Sequence, residues 1–554
     1  MAGARPIPTA AASIAVLALT AGCLAEEDPP PEASEPPQAP SASPEPVEDT
    51  LQEQGVSAGH PLAVAAGEQI LEEGGNAVDA AIAASFAVAV VEPYASGIGG
   101  GGSVVLAGQE GDPVFYDYRE VVNNEGEIPE SGTGIPGFVA GMGELYENHG
   151  SLEWAQLLEP AETLASDGFE VSEYLAERMV QEDALAAISD LDHYTDGGEP
   201  LGAGEQLVQE ELGATLSSLA ENGWEDYYTG ELAESVADQV EGIDQESLED
   251  YEVVISDPSR GEFGDYELLA AAPSLPGPAM IQMMQIAEAQ GIADMDPDSA
   301  EYVDLLSDAW LEAEDTVFTE LGDPGFIEVP DDITDAESNA EIELDAAQSS
   351  DQGEQSDHGE QGYGGDPGDH ANTTHISVVD SDGLTVSMTN TIMFFWGSGE
   401  MVDGYFVNNH LSRFEAIDSP ANEPEPGRRT VTWSNPTIVL DEEQRPVLAA
   451  GSPGGHQILN ILGTVFVQWG LQGRSLEEAI ATPRFRAEED TLYIEESMPG
   501  GLVEDLEDMG WDTEVWPDEM ASFGSVQPLE VDYDAGTVGS VDDPRREGAH
   551  AIVD

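Results

Sequence analysis

At 554 residues the chain is long enough to bury a large core, and 13 basic against 114 acidic residues give it a net charge of −101, with every basic residue an arginine. Such a charge makes nucleic acid and anionic membrane surfaces poor partners by plain repulsion, and a single cysteine excludes an internal disulfide framework. The acid is spread over segments with clear apolar periodicity, 77–91 and 458–467 among them, so it reads as the solvated face of a folded protein. Repulsion on that face weakens as the screening length falls to about 3 Å at molar salt, which points to a hypersaline environment.

In chain order, residues 1–22 read as an export signal: Arg5 gives a positive start, 10–21 is apolar, and Thr20-Ala21-Gly22 precedes Cys23. The apolar stretch is too short to span a bilayer. It resembles a bacterial or archaeal lipoprotein signal, in which the cysteine is lipidated after cleavage; secretion with an incidental cysteine is the alternative. Residues 23–58, dominated by proline and glutamate, read as a tether.

The globular pattern begins near His60. Helical spacing over 63–71 stops at Gly74-Gly75, and Asn76 caps a second helix to Val91 that is apolar nearly all round and therefore buried. The glycine run 99–102 lacks the lysine and hydroxyl of a phosphate loop and leads into strands over 103–107 and 114–118. Arg119 follows directly, a candidate clamp for a carboxylate because guanidinium binds that group bidentately; an ordinary ion pair is the alternative. Helical patterns follow over 132–146, 152–167, 171–191 and 206–222, then a strand over 267–272 and a helix from Met280. Asp190, Asp192 and Asp196 lack the spacing of a calcium loop and read as a solvated turn. Residues 331–372 show neither apolar periodicity nor arginine and read as an acidic flexible linker.

After the linker the pattern turns to sheet. Thr373 is placed to become a new N-terminus if the chain is cut before it, and the freed α-amino group, with a reference pKa near ~8, is a base for its own hydroxyl. A plain strand threonine is the alternative. A hairpin through Ser381-Asp382-Gly383 puts Thr391 on the return strand in register with Thr373. Strands over 436–440 and 446–450 lead into Gly451-Ser452-Pro453-Gly454-Gly455 and an apolar helix from His456. Gly454 and Gly455 can present adjacent backbone N–H groups at a helix start, as an oxyanion requires; a simple turn is the alternative.

Together these residues resemble the γ-glutamyltranspeptidases, also called glutathione hydrolases, of the N-terminal nucleophile hydrolase superfamily. The resemblance runs from about His60 to Ala549 and includes Gly74 to Ala81, Arg119-Glu120, Gly134 to Gly137, Thr373-Thr374-His375, Asn408-Asn409, Pro436-Thr437-Ile438, Gly451 to Gly455, Pro483-Arg484-Phe485 and Asp543-Pro544-Arg545. It implies an α+β fold, a four-layer αββα sandwich, made as one precursor that cleaves itself between Asn372 and Thr373. Residues 59–330 then belong to the large fragment and 373–554 to the small one, the two staying together as a heterodimer, with no cofactor and no metal. By the same resemblance Thr373 is the nucleophile, Thr391 orients it, Gly454 and Gly455 form the oxyanion hole, and Arg119 grips the α-carboxylate of a small γ-glutamyl substrate. The enzyme is expected outside the cytoplasm, anchored to the outer face of the membrane through a lipid on Cys23.

Some positions depart from the family. Where it holds the substrate's α-amino group with an asparagine, a glutamine or glutamate, and an aspartate, this chain has Met393, His410 and Arg413. An arginine close to an ammonium costs up to a few kcal/mol in a partly desolvated pocket. The family's paired serines become Thr432 and Trp433, expected to make the pocket wall bulkier. Glutaryl amides, as in the related cephalosporin acylases, or interior units of poly-γ-glutamate are therefore expected to fit better than free γ-glutamyl amines, unless the local alignment is off by a residue or another acid turns inward. A catalytically inert lipoprotein binding module is the remaining reading, and retention of Thr373, Thr391 and the double glycine argues against it.

Overall fold

The computed structural model describes residues 50–109, 111–344, 373–417, 419–517 and 523–554. The signal, most of the tether, Cys23, the larger part of the acidic linker and Asn372 lie outside them. Thirteen strands build two sheets. In chain order they are β1 (Gln54–Ala58), β2 (Gly101–Ala107), β3 (Val114–Asp117), β4 (Val254–Ser256), β5 (Ser259–Phe263), β6 (Tyr266–Ala270), β7 (Thr373–Val379), β8 (Thr385–Thr391), β9 (Thr437–Leu440), β10 (Pro446–Ala450), β11 (Leu529–Asp532), β12 (Thr537–Gly539) and β13 (Ala549–Val553). The first sheet runs β13-β1-β7-β8-β2-β3-β4 and the second β12-β11-β10-β9-β6-β5.

The sheets stack through Val105, Ala107 and Phe115 on one side and Leu269, Ala271, Ile438, Leu440 and Ala449 on the other. Helices α1 (Pro61–Glu72) and α2 (Ala77–Val91) cover the outer face of the first sheet. Helices α3 (Gly277–Ala289), α4 (Ala300–Thr319) and α5 (Ile458–Phe466) pack in the core outside the second. This is the expected αββα order. Every residue of α2 is buried, because the helix lies between the sheet and the helix Trp154–Asp167; a helix with no wet side needs no polar face. Its start is fixed by a capping box in which Asn76 Oδ1 accepts from the Val78 and Asp79 amides at 2.9 Å and Asp79 returns a bond to the Asn76 amide.

Three segments differ from the sequence pattern. The helix expected from residue 132 begins at Phe138, because Ile135 is held extended in a bridge to Val121. The run 171–191 is two short helices, Glu173–Met179 and Glu182–Ile188, and 206–222 opens with a strand pair before the helix Glu210–Asn222. The described start of the acidic linker is ordered: Ala336–Ala340 is helical. Buried Asn339 donates to Gln285 Oε1 at 2.7 Å and to the Ile333 carbonyl at 2.9 Å. Side-chain amides tie this piece down, so apolar periodicity could not reveal it.

Candidate active site

The hairpin β7–β8 pairs Thr373 with Thr391 and continues without a slip to Val379 and Thr385. Alternate residues share a face, so Thr373, His375 and Ser377 point one way with Thr391, Thr389 and Ser387. Thr373 Oγ1 donates to Thr391 Oγ1 at 3.4 Å, and Thr391 Oγ1 also accepts the Met393 amide at 2.9 Å. A hydroxyl oxygen that already accepts an N–H is set to turn its own proton toward Thr373 when that oxygen gains negative charge. Met393 achieves this at φ +86, an uncommon conformation for a non-glycine residue. The loop after it is held by Asn409, whose Oδ1 accepts the Phe394 amide at 3.0 Å.

Below the threonine pair, His375 joins the two sheets. Its Nδ1 meets Thr389 Oγ1 at 2.8 Å and its Nε2 meets Ser377 Oγ at 3.2 Å. Ser387 Oγ accepts the Thr437 amide at 2.9 Å and Ser377 donates to the Gln527 carbonyl at 2.7 Å, both in the second sheet's part of the chain. Burial lowers the His375 pKa to about 3, so the ring is neutral. Gly451 packs its bare Cα onto this ring, where any side chain would overlap it. The loop then runs to Gly454, at φ +143, and Gly455, which opens the short turn before α5.

His456 follows directly and was not singled out by sequence. Its ring centroid lies 4.6 Å from that of Trp433 and 5.4 Å from that of Trp310, and its Nε2 meets Glu314 of α4. Burial first, then the charge of Arg486, lowers its pKa to about 3, so the neutral ring donates from Nε2 to the carboxylate. Arg413 also acts on this ring electrostatically. Trp433 is fully buried in the core of the second sheet and its helices; its bulk, expected to narrow a substrate wall, is spent on His456, Trp310 and Phe318. Thr432 beside it is buried as well.

Arg119 and Glu120 leave β3 beside Gly101, the register partner of Thr391. Arg119 departs from the expected open clamp. Its Nε and Nη2 close side-on onto Asp117 at 2.9 and 2.6 Å, Nη1 donates to the Thr430 carbonyl at 2.6 Å, and Nη2 also reaches Ser274 Oγ at 2.9 Å. Four of the five N–H groups of a guanidinium are thereby committed inside the protein. Glu120 turns inward and meets His410 Nδ1 at 2.6 Å, both side chains being fully buried.

Arg546 was not singled out either. Its Nη1 donates to the Thr373 carbonyl at 3.2 Å. The signal for it was compositional, two adjacent arginines after Asp543-Pro544 in a chain with so few. Among the described residues no group of histidine, cysteine and carboxylate side chains is arranged to hold a metal ion.

A family model described as Gamma-glutamyltranspeptidase matches residues 63–553. The capsule biosynthesis protein CapD proenzyme of Bacillus anthracis is 32% identical over 496 residues, covering 89% of this chain and 90% of that protein. The glutathione hydrolase proenzyme of Bacillus subtilis (strain 168) is 31% identical over 539 residues, again 89% and 90% of the two chains. A cephalosporin acylase from Bacillus halodurans shares the fold, with a TM-score of 0.80 at 23% identity over 93% of this chain and 98% of that one.

Proposed function

The chain belongs to the γ-glutamyltranspeptidase family, and on that premise we propose that it cleaves itself before Thr373 and then hydrolyses or transfers γ-glutamyl-type acyl groups through an ester on that threonine. The observation that carries this reading is the register of Thr373 on Thr391, with the Met393 amide bonded to the second hydroxyl. In the precursor, the Thr373 hydroxyl attacks the carbonyl of Asn372. The peptide C–N bond breaks as the C–O bond forms and the hydroxyl proton passes to the nitrogen, which frees the α-amino group; water then hydrolyses the ester, releasing a carboxylate and restoring the hydroxyl. That amine then takes the hydroxyl proton as Thr373 attacks a substrate amide, and the leaving amine departs protonated. Backbone N–H groups at Gly454 and Gly455 are the proposed holders of the oxyanion. Water, or the amine of an amino acid or dipeptide, resolves the ester.

A second reading of the donor, a glutaryl or poly-γ-glutamate-type amide, is favoured by one observation. Glu120, the acid beside the site, is already engaged by His410, and Met393 and Arg413 offer no acceptor for a substrate ammonium. The charge of −101 with no lysine supports a setting of high salt, and the signal pattern supports export with a lipid on Cys23. No described helix is long and apolar enough to cross a membrane.

N-terminal sequencing after denaturing electrophoresis in high salt tests the reading: a fragment beginning at Thr373 is expected, and a chain that stays intact while folded would end it. Comparing γ-glutamyl with glutaryl anilides then separates the two donors; efficient turnover of the γ-glutamyl compound alone removes the second.

A further inference from the structure

In a chain with 114 acidic and 13 basic residues, a buried arginine without a carboxylate partner needs a reason. Arg546 is 8% exposed, and among the described residues no carboxylate lies within ion-pair distance of it. Its Nη1 is used on the Thr373 carbonyl, but Nε and Nη2 are buried with no hydrogen-bond partner. Those two nitrogens form the side-on edge of the guanidinium, the edge that takes a carboxylate with two parallel bonds. Arg119 shows the same edge closed, on Asp117. Arg546 shares an aromatic ring with a second arginine. Tyr174 lies beneath it, ring centroid 5.2 Å from Cζ, and Arg178 lies over the same ring at 5.2 Å. The Tyr174 hydroxyl is also buried without a partner. Glu92 interacts electrostatically with Arg546, and its Oε1 accepts the Tyr94 hydroxyl at 3.0 Å. Burial raises the Glu92 pKa, against the opposing pull of the Arg546 charge.

We propose that Arg546 receives a carboxylate of the acyl donor, binding it side-on through Nε and Nη2 next to Thr373. The substrate class is an amide whose acyl part ends in or carries a carboxylate, such as a glutaryl or glutamyl group. The proposal rests on the hydrolase reading above and names the residue that selects the donor. Because the guanidinium is buried, this recognition persists at salt concentrations that screen the surface.

The test compares glutaryl p-nitroanilide with its neutral methyl ester on the full, self-cleaved protein. Arg546→Gln and Arg546→Lys are set against Arg260→Gln, a surface arginine paired with Glu267. Arg546→Gln is expected to raise KM for the acid by about tenfold or more, the scale of a lost bidentate pair. KM for the ester and kcat for both are expected within about threefold, with Arg546→Lys between and Arg260→Gln unchanged. Equal losses on acid and ester, or no loss on the acid, would overturn the assignment. If Arg546→Gln does not fold or self-cleave, Arg546→Lys and inhibition of the natural enzyme by glutarate against its monomethyl ester decide it; equal inhibition by the two rejects the proposal. A protein that yields the Thr373 fragment yet turns over neither γ-glutamyl nor glutaryl anilide fails the hydrolase reading instead, and anilide turnover by the natural enzyme tells the two failures apart.

Discussion

Thr373 and Thr391 stand on adjacent strands joined by one tight turn, whereas Gly454 and Gly455 are flanked by His456, which is braced by Glu314, 142 residues away in the sequence, and by two tryptophans. The first half of the site is set by local register and has no spare parts. The second is assembled from distant segments and shares its load among several contacts. Loss in the first half is therefore expected to be absolute, and loss in the second graded.

Substitutions can break that contrast. Thr373→Ala should abolish both self-cleavage and turnover, read by N-terminal sequencing and anilide release, because no second hydroxyl can take its place on the strand. Gly454→Ala should lower kcat by roughly 10²–10³-fold, as for loss of an oxyanion donor, since its φ of +143 disfavours a side chain; an unchanged kcat would remove Gly454 from the mechanism.

His375 lies between the halves, so pH tests their union. Its folded pKa of about 3 and that of His60, about 4, are both below the usual 6.5 through burial. The unfolded chain therefore binds protons first as pH falls. Stability is full above about pH 6.5 and declines below it by roughly 1.4 kcal/mol per unit for each histidine, down to the folded values. Denaturant melts between pH 6 and 5 in fixed high salt should show it, and His60→Gln should lower the slope by about a third at most, because His456, at about 3, contributes as His375 does. A flat profile would mean that the rings are not dry.

Smaller effects follow. His456→Leu should cost about tenfold in kcat with KM within about twofold, because it loosens the loop of Gly454 and Gly455, the proposed holders of the oxyanion, without touching the bound acyl group; a rise in KM alone would show that His456 meets substrate. Asn76→Ala removes the cap of α2 and should cost about 1 kcal/mol of stability, seen as a lower melting temperature with turnover unaltered.

The hairpin was legible because strand register can be counted along the chain, and α2 because its cap and apolar run are contiguous. The αββα order came through resemblance to a family. What escaped was non-local. Nothing along the sequence links His456 to Glu314, or sends Trp433 toward that ring instead of toward substrate. Arg119 and Arg546 look alike as letters. Only the placement of Asp117 two residues before Arg119, with Thr430 and Ser274 brought in from afar, closes one fork while the other stays open.

Strand order has one further consequence. A cut before Thr373 would leave β1 between β13 and β7, and β8 beside β2, so three hydrogen-bonded ladders of the first sheet would join the two fragments. No plane parts them without tearing the sheet. Dilution should leave specific activity unchanged, and mixing active with inactive processed enzyme should yield no hybrids until both are unfolded.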